Sequence, residues 1–154
     1  MENILEVQKK AFLKEGPPSL EKRTDLLKRC VALIETHQEK IIKALNQDFQ
    51  NRSVDEIKIS EIDQTIRNIL FTIKKLNKWM QPQRRFSSLG TDLLGAKSLV
   101  QPSPLGTVGI IAPWNFPVGL IFYPLASIFA AGNRAMVKPS EITCLLYTSD
   151  AADD

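Results

Sequence analysis

The stretch TVGIIAPWNFPVGLIFYPLASIFAAGNRAMVKP, residues 107–139, indicates the architecture of the chain because three differently patterned segments follow one another within it. Residues 107–113 form a short β-branched run that ends at a proline, which predicts a buried strand. Residues 117–132 are apolar and long enough for a helix, and residues 134–139 form a second short strand. Strand, helix and strand in this order predict a βαβ unit with parallel strands, so the fold class is α/β.

The predicted helix carries its own start and stop signals. Pro117 suits the first turn, where a helix has no use for the missing amide hydrogen, and Gly132 suits the end. Pro124 lies in the middle and is expected to kink the helix. No charged residue occurs between Lys97 and Arg134, yet the prolines leave no unbroken apolar piece of the roughly 20 residues that a membrane span needs. We therefore expect no transmembrane helix.

Residues 1–90 are predicted to be a helical N-terminal segment. Two capping boxes, Thr36 with Glu39 and Ser53 with Glu56, predict that helices begin near the two hydroxyl residues. The apolar residues of the first half recur at helical spacing. They are Leu20, Leu26, Leu27, Cys30, Leu33 and Ile34, followed by Ile41, Ile42, Leu45 and Phe49.

The last part of this segment carries a narrow stripe of apolar residues in steps of three and four. Its members are Ile59, Ile62, Ile66, Ile69, Ile73, Leu76 and Met80. Either the stripe is a coiled-coil seam for a partner, or it packs against the preceding helices, which we favour because those helices are available. The first interpretation gives an alternative function, a non-catalytic helical interaction protein that binds a partner through the Ile59–Met80 stripe.

The composition changes after the helical segment. Pro82 ends the helical pattern, and QPQRRFSSLG, residues 81–90, has the composition of a linker. Residues 91–104 contain two short apolar pieces, divided by Gly95 and closed by prolines, which predict an edge strand pair. Residues 105–143 then form the predicted start of a dinucleotide-binding domain.

Composition and charge exclude several classes of function. The net charge is +3, and the basic residues are interleaved with acidic ones, so no nucleic-acid partner is expected. The two cysteines, Cys30 and Cys144, are too far apart for a C-x-x-C metal site, and we expect no bound metal. Glu2 and Lys9 interrupt the N-terminus before any secretory apolar core can form. A reducing, cytoplasmic location fits these features best.

Asn115 is a polar amide between two prolines, inside a stretch that otherwise has core composition. It has two interpretations, which both remain open on spacing alone. Asparagine is a good N-cap for the helix that follows, and an amide at the carboxyl end of a parallel strand can also donate to a developing oxyanion. No G-x-G-x-x-G turn follows the strand, so the usual dinucleotide fingerprint is absent.

Residues 104–141 resemble the opening of the cofactor domain in the NAD(P)-dependent aldehyde dehydrogenase superfamily. The P-W-N-F-P, A-A-G-N and V-K-P-S-E blocks occur in the order and spacing of that family. DFQNRS and KWMQPQRR, farther upstream, are similar to the coniferyl-aldehyde and class 3 fatty-aldehyde dehydrogenase branch. The resemblance covers residues 5–143 and implies a helical segment that leads into the first βαβ unit of a Rossmann-like cofactor domain.

The resemblance implies oxidation of an aldehyde to a carboxylic acid, through a thiohemiacetal and a cysteine thioester, with NAD or NADP as hydride acceptor. Asn115 matches the residue that helps to hold the oxyanion and borders the cofactor. Ala112 and Trp114 match positions along the nicotinamide path, while Lys138 and Glu141 match contacts to the adenosine ribose. Glu141 favours NAD, because its charge would repel a 2′-phosphate, although NADP stays open. A homodimer or homotetramer is the family's expectation.

The family's nucleophilic cysteine, general-base glutamate and pyrophosphate turn have no counterpart in residues 1–143. Cys144 directly follows the V-K-P-S-E block and is not expected to be that nucleophile. The resemblance ends after Thr143, and we expect residues 144–154 to be a non-native tail, with a divergent native terminus as the alternative. The polypeptide of 154 residues is therefore expected to be inactive by itself. The identity of the aldehyde is not determined by this sequence.

Overall fold

The computed structural model describes residues 2–87, 90, 94–143, 145 and 146. Within them the chain forms six α-helices, one π-helical segment and four strands. In chain order these are α1 (Glu2–Glu15), α2 (Leu20–Thr36), α3 (Gln38–Asp48), α4 (Val54–Ile57), the π segment (Lys58–Asp63), α5 (Gln64–Trp79), β1 (Gln83–Arg85), β2 (Ser98–Val100), β3 (Thr107–Ile111), α6 (Gly119–Ala131) and β4 (Arg134–Lys138). Leu93, in the first apolar piece of the predicted strand pair at 91–104, and Cys144 lie outside the described residues.

The βαβ unit is present, which confirms the predicted α/β class. Strands β3 and β4 are parallel, with Thr107 opposite Arg134 and Ile111 opposite Lys138. Helix α6 connects them and ends at Gly132, whose φ of +87° is the left-handed conformation that terminates many helices. The helix continues through Pro124. Among the described residues, no helix is both long and apolar enough to cross a membrane.

The buried core lies between the N-terminal helices and α6. The apolar stripe packs within the chain, because α5 contacts both α2 and α6. Members of the core cluster from these elements include Leu27, Ile34, Leu45, Ile62, Ile69, Leu76, Val118 and Ala126. The favoured interpretation of the stripe, packing against preceding helices, is therefore confirmed. Ile59 departs from it and is 64% exposed, because the π segment changes the helical register before α5 begins.

Both predicted capping boxes lie where helices begin, but neither forms the predicted side-chain cap. Helix α3 begins after His37, and α4 begins after Ser53, as the boxes predict to within two residues. Neither N-cap position makes a side-chain cap hydrogen bond, and Glu56 forms an ion pair with Arg52 instead. Among the described helix starts, a hydroxyl caps α2: Ser19 Oγ accepts a hydrogen bond from the Lys22 amide at 3.2 Å.

The two predicted β features need correction. Strand β2 lies in the predicted strand-pair region, but its antiparallel partner is β1, in the stretch predicted to be a linker. Short exposed strands of polar composition, such as QRR, carry little sequence signal. Strand β3 was predicted to be buried, yet Ile110 is buried while Ile111 is 83% exposed. A two-stranded sheet leaves outer edges and part of a face uncovered.

Candidate functional site

The candidate site lies at the carboxyl ends of β3 and β4. Ala112 follows β3 directly, and its amide donates to the carbonyl of Lys138, the last residue of β4, at 3.0 Å. The turn that bears Trp114 and Asn115 leaves from the same end. Glu141 follows three residues after β4 ends. Parallel topology therefore brings the five predicted site residues to one edge, which is where open α/β sheets bind ligands.

Asn115 does not cap α6, so that interpretation is wrong. The helix begins at Gly119 and its N-cap position is Val118, three residues beyond Asn115. The intervening residues form a turn, and the Phe116 carbonyl in it accepts from the amide of Leu120 in α6 at 2.9 Å. Asn115 is exposed at the sheet edge. Its amide side chain is thus available for a chemical role that does not compete with helix capping.

Trp114 is half exposed, and its indole stacks on the ring of Phe49. The ring centroids are 6.2 Å apart and the planes are inclined by 28°. Phe49 follows α3, so the stack joins the N-terminal helices to the turn. Ala112, by contrast, is buried at 6% exposure.

The side chain that accepts a hydrogen bond from the start of α6 is Glu61, which was not predicted from the sequence. Its Oε2 accepts a hydrogen bond from the Gly119 amide at 2.8 Å, and the residue is fully buried. Burial raises the pKa of this carboxyl, while the hydrogen bond from Gly119 and the charge of Arg52 act in the opposite direction. A carboxylate at a helix N-terminus is favourable because free amides and the helix dipole meet it.

Arg52 is the second residue that sequence reasoning missed. Its side chain is 9% exposed, and its Nη1 donates to the Asn115 carbonyl at 3.1 Å. The guanidinium lies 5.2 Å from the ring centroid of Phe49 and 4.7 Å from that of Phe116. The same Nη1 is 3.4 Å from Oε1 of Glu61. Arg52 lies in the DFQNRS stretch, so the resemblance of this stretch to a family branch is the sequence feature that could have identified it.

Lys138 and Glu141 are brought together at the end of β4, where they form an exposed ion pair. The hydrogen bond from Lys138 lowers the pKa of the Glu141 carboxyl. The pair therefore presents a cation and an ionised acceptor side by side, which suits the recognition of vicinal hydroxyl groups. Among the described residues, no group of three or more His, Cys, Asp or Glu side chains is arranged to hold a metal ion.

The A-A-G-N block has a structural role. Asn133 Oδ1 accepts from the amides of Leu105 and Gly106, at 2.6 and 2.9 Å, which ties the beginnings of β3 and β4 together. Gly132 is required because a Cβ atom would lie 2.7 Å from Cζ of Arg23. Arg23 donates in turn to the Ala130 carbonyl at the end of α6, at 2.9 Å. These contacts fix the strand alignment on which the site depends.

The model of the aldehyde dehydrogenase family matches residues 1–150. This range extends past Thr143, the predicted end of the resemblance. A "Probable coniferyl aldehyde dehydrogenase" of Caulobacter vibrioides is 49% identical over 146 residues, which are 93% of this chain and 30% of that protein. The resemblance to the coniferyl-aldehyde branch is thereby confirmed.

Solved structures agree in fold. The substrate-bound state of Staphylococcus aureus AldH matches with a TM-score of 0.83 and 33% identity, over 90% of this chain and 30% of that one. An NAD+ complex of aldehyde dehydrogenase from Bacillus cereus matches with a TM-score of 0.75 and 25% identity, over 95% of this chain and 29% of that one. The chain thus spans about 30% of the length of the proteins it matches.

Proposed function

The chain belongs to the aldehyde dehydrogenase family, and from this premise we propose that it supplies the oxyanion donor and part of the cofactor site of an NAD-dependent aldehyde dehydrogenase. The observation that carries the proposal is the meeting of the Asn115 turn and the Lys138–Glu141 pair at one edge of the parallel strands. An electrophilic carbonyl and a dinucleotide must lie side by side for hydride transfer, and this edge offers groups suited to each.

Asn115 is proposed to donate its side-chain NH₂ to the aldehyde oxygen. When a cysteine thiolate attacks the aldehyde carbon, the carbonyl electrons move to oxygen, and a fixed amide stabilises that negative charge. Loss of hydride then leaves a thioester, which water hydrolyses to the carboxylic acid. The exposed position of Asn115 on a turn, outside the helix, supports this assignment.

Lys138 and Glu141 are proposed to hold the adenosine ribose, with Ala112 and Trp114 along the nicotinamide path. The ammonium can donate to a ribose hydroxyl and the carboxylate can accept from one, so the pair fits a diol. Bound NAD would accept the hydride. The Glu141 carboxylate would repel the 2′-phosphate of NADP, which favours NAD.

The substrate class is proposed to be an aromatic aldehyde of the coniferyl type. This rests on the name of the Caulobacter vibrioides relative and its 49% identity.

The nucleophile is not Cys30, because that thiol is buried and burial raises its pKa. We therefore propose that the 154-residue chain needs the remainder of a dehydrogenase for turnover.

A chimera tests the proposal. Residues 1–143 of this chain would replace the matching segment of the Caulobacter vibrioides protein, and the carboxylic acid product would be quantified by chromatography. We expect turnover of an aldehyde that the unmodified relative oxidises, with a higher kcat/KM for NAD than for NADP. A chimera that folds, as judged by circular dichroism and gel filtration, but forms no product would contradict the proposal.

A further inference from the structure

The DFQNRS segment contacts three successive residues of the turn that bears Asn115. Phe49 stacks on Trp114, Arg52 donates to the Asn115 carbonyl, and the Arg52 guanidinium lies against the ring of Phe116. One arginine therefore meets the backbone of one turn residue and the side chain of the next. The DFQNRS segment, which is distant in sequence, therefore contacts this turn at several points.

Glu61 holds the other end of the same turn. It accepts from the Gly119 amide, the first helical residue of α6, and it also faces Arg52. The π segment makes this possible, because its wider turn places Glu61 and Ile62 together on the buried side. Local π turns of this kind occur frequently at functional sites.

Burying charged groups is costly unless each is paired and hydrogen-bonded. Arg52 is itself held in place, since its carbonyl accepts from Nδ2 of Asn46 at 2.8 Å and its side chain meets Glu56 at the surface. Outside this charged cluster, the Arg52 side chain donates to the backbone of Asn115, and the Glu61 side chain accepts from the backbone of Gly119, so both contact the turn. The Arg52–Glu61 ion pair therefore bonds to the backbone of the turn at Asn115 and Gly119.

We propose that Arg52 and Glu61 are positioning residues that fix the Trp114–Gly119 turn and thereby the amide of Asn115. The catalytic consequence rests on the proposed function, because an oxyanion donor is effective when it is held in place before charge develops. The two side chains act on the turn and need not touch the substrate or the cofactor.

The first test uses the 154-residue chain with Trp79→Phe, which leaves Trp114 as its one tryptophan. In this background Arg52→Met should increase acrylamide quenching of Trp114 emission, because the turn loses its anchor. Arg67→Met, an exposed arginine on α5, is the matched control and should leave quenching unchanged. Unaltered quenching in a folded Arg52→Met protein would overturn the proposal. If that variant does not fold, Arg52→Lys takes its place, since lysine keeps the charge but loses the planar stack.

Glu61 allows a matched pair of substitutions in the same chain. Glu61→Gln keeps a carbonyl oxygen for the Gly119 amide, whereas Glu61→Leu removes it at similar size. Hydrogen exchange of the Gly119 amide should remain slow in Glu61→Gln and become faster in Glu61→Leu. Equal exchange in the two folded variants would show that the contact does not hold the turn.

Kinetics in the chimera separate this inference from the proposed function. Arg52→Met should lower kcat by about 10²-fold, as a small misplacement of a catalytic group can do, with a much smaller change in KM. A wild-type chimera without turnover would refute the function, while Trp114 quenching would still decide the positioning role. An active chimera whose kcat does not respond to Arg52→Met would refute the inference.

Discussion

Gly132 ends α6 in a left-handed backbone conformation, and the guanidinium of Arg23 fills the space where a side chain would begin. The φ angle is +87°, and a Cβ atom would approach Nη2 of Arg23 to 2.7 Å. Arg23 also bonds to the carbonyls of Pro18 and Ala130, both at 2.9 Å. A side chain at Gly132 would therefore strain the backbone and disturb this arginine together.

Gly132→Ala is expected to lower the free energy of unfolding by about 2–4 kcal/mol, the sum of left-handed strain and a weakened charge-assisted hydrogen bond. Urea denaturation followed by circular dichroism measures it. Gly16→Ala is the matched control, because Gly16 has a φ of +69° but open space around its Cβ position. It should lose only the strain, about 1–2 kcal/mol. Equal losses of unfolding free energy in the two variants would mean that the contact with Arg23 adds nothing to the cost of a side chain at Gly132.

The five site residues taken from the family resemblance all lie at one sheet edge, while Arg52 and Glu61 were not predicted. Motif blocks identify residues whose type and spacing are constrained along the chain, as Asn115 and Lys138 are. Glu61 instead sits beside the isoleucine stripe, where a regular helix would turn it towards solvent. Its burial depends on contact with Gly119, 58 residues away in sequence, and spacing rules do not reach that far.

At the scale of elements, the π segment connects the helical N-terminus to the start of α6. Apolar composition, length and the bounding Pro117 and Gly132 predicted α6. Periodicity predicted α2, α3 and α5, because their buried faces repeat every three to four residues. It did not predict the π segment, since one wider turn alters the register without changing composition. The β1–β2 pair was also placed incorrectly, because three polar residues carry no alternation.

The contact between the π segment and α6 should make stability depend on pH. Burial raises the pKa of Glu61 above 4.5, so the folded chain holds this proton more tightly than the unfolded chain does. Protonation of Glu61 therefore stabilises the folded chain fully below about pH 4.5, and this stabilisation is lost as pH rises through the raised pKa of Glu61. Arg52 and Glu56 are the charged groups that face this carboxyl.

The measurement compares wild type with Glu61→Gln, which does not titrate. The difference in unfolding free energy, wild type minus variant, should decrease as pH rises above 4.5. Urea denaturation at a series of pH values gives this difference directly. Glu21→Gln, an exposed residue on α2, controls for the loss of one carboxylate. A difference that stays constant or increases with pH would contradict the assigned burial effect.

At the scale of the whole molecule, the chain has a helical core and a parallel strand pair that is only partly covered. Ile111 is 83% exposed and Leu105 is 90% exposed, although both are large and apolar. The chain spans about 30% of the length of the proteins it matches, so in those proteins further chain is available to cover such surfaces. The burial of a strand depends on the whole sheet, which explains why a sequence pattern typical of a buried strand corresponds here to a partly exposed one.

The most direct test of the central claim is product formation by three samples in one assay: the chimera, its Asn115→Ala variant and the 154-residue chain alone. We expect the chimera to form the acid and Asn115→Ala to lower kcat by about 10²–10³-fold, as for loss of one oxyanion donor. The chain alone should form none. Asn68→Ala, an exposed asparagine on α5, should match wild type. Equal kcat for Asn115→Ala and Asn68→Ala, or turnover by the chain alone, would contradict the account.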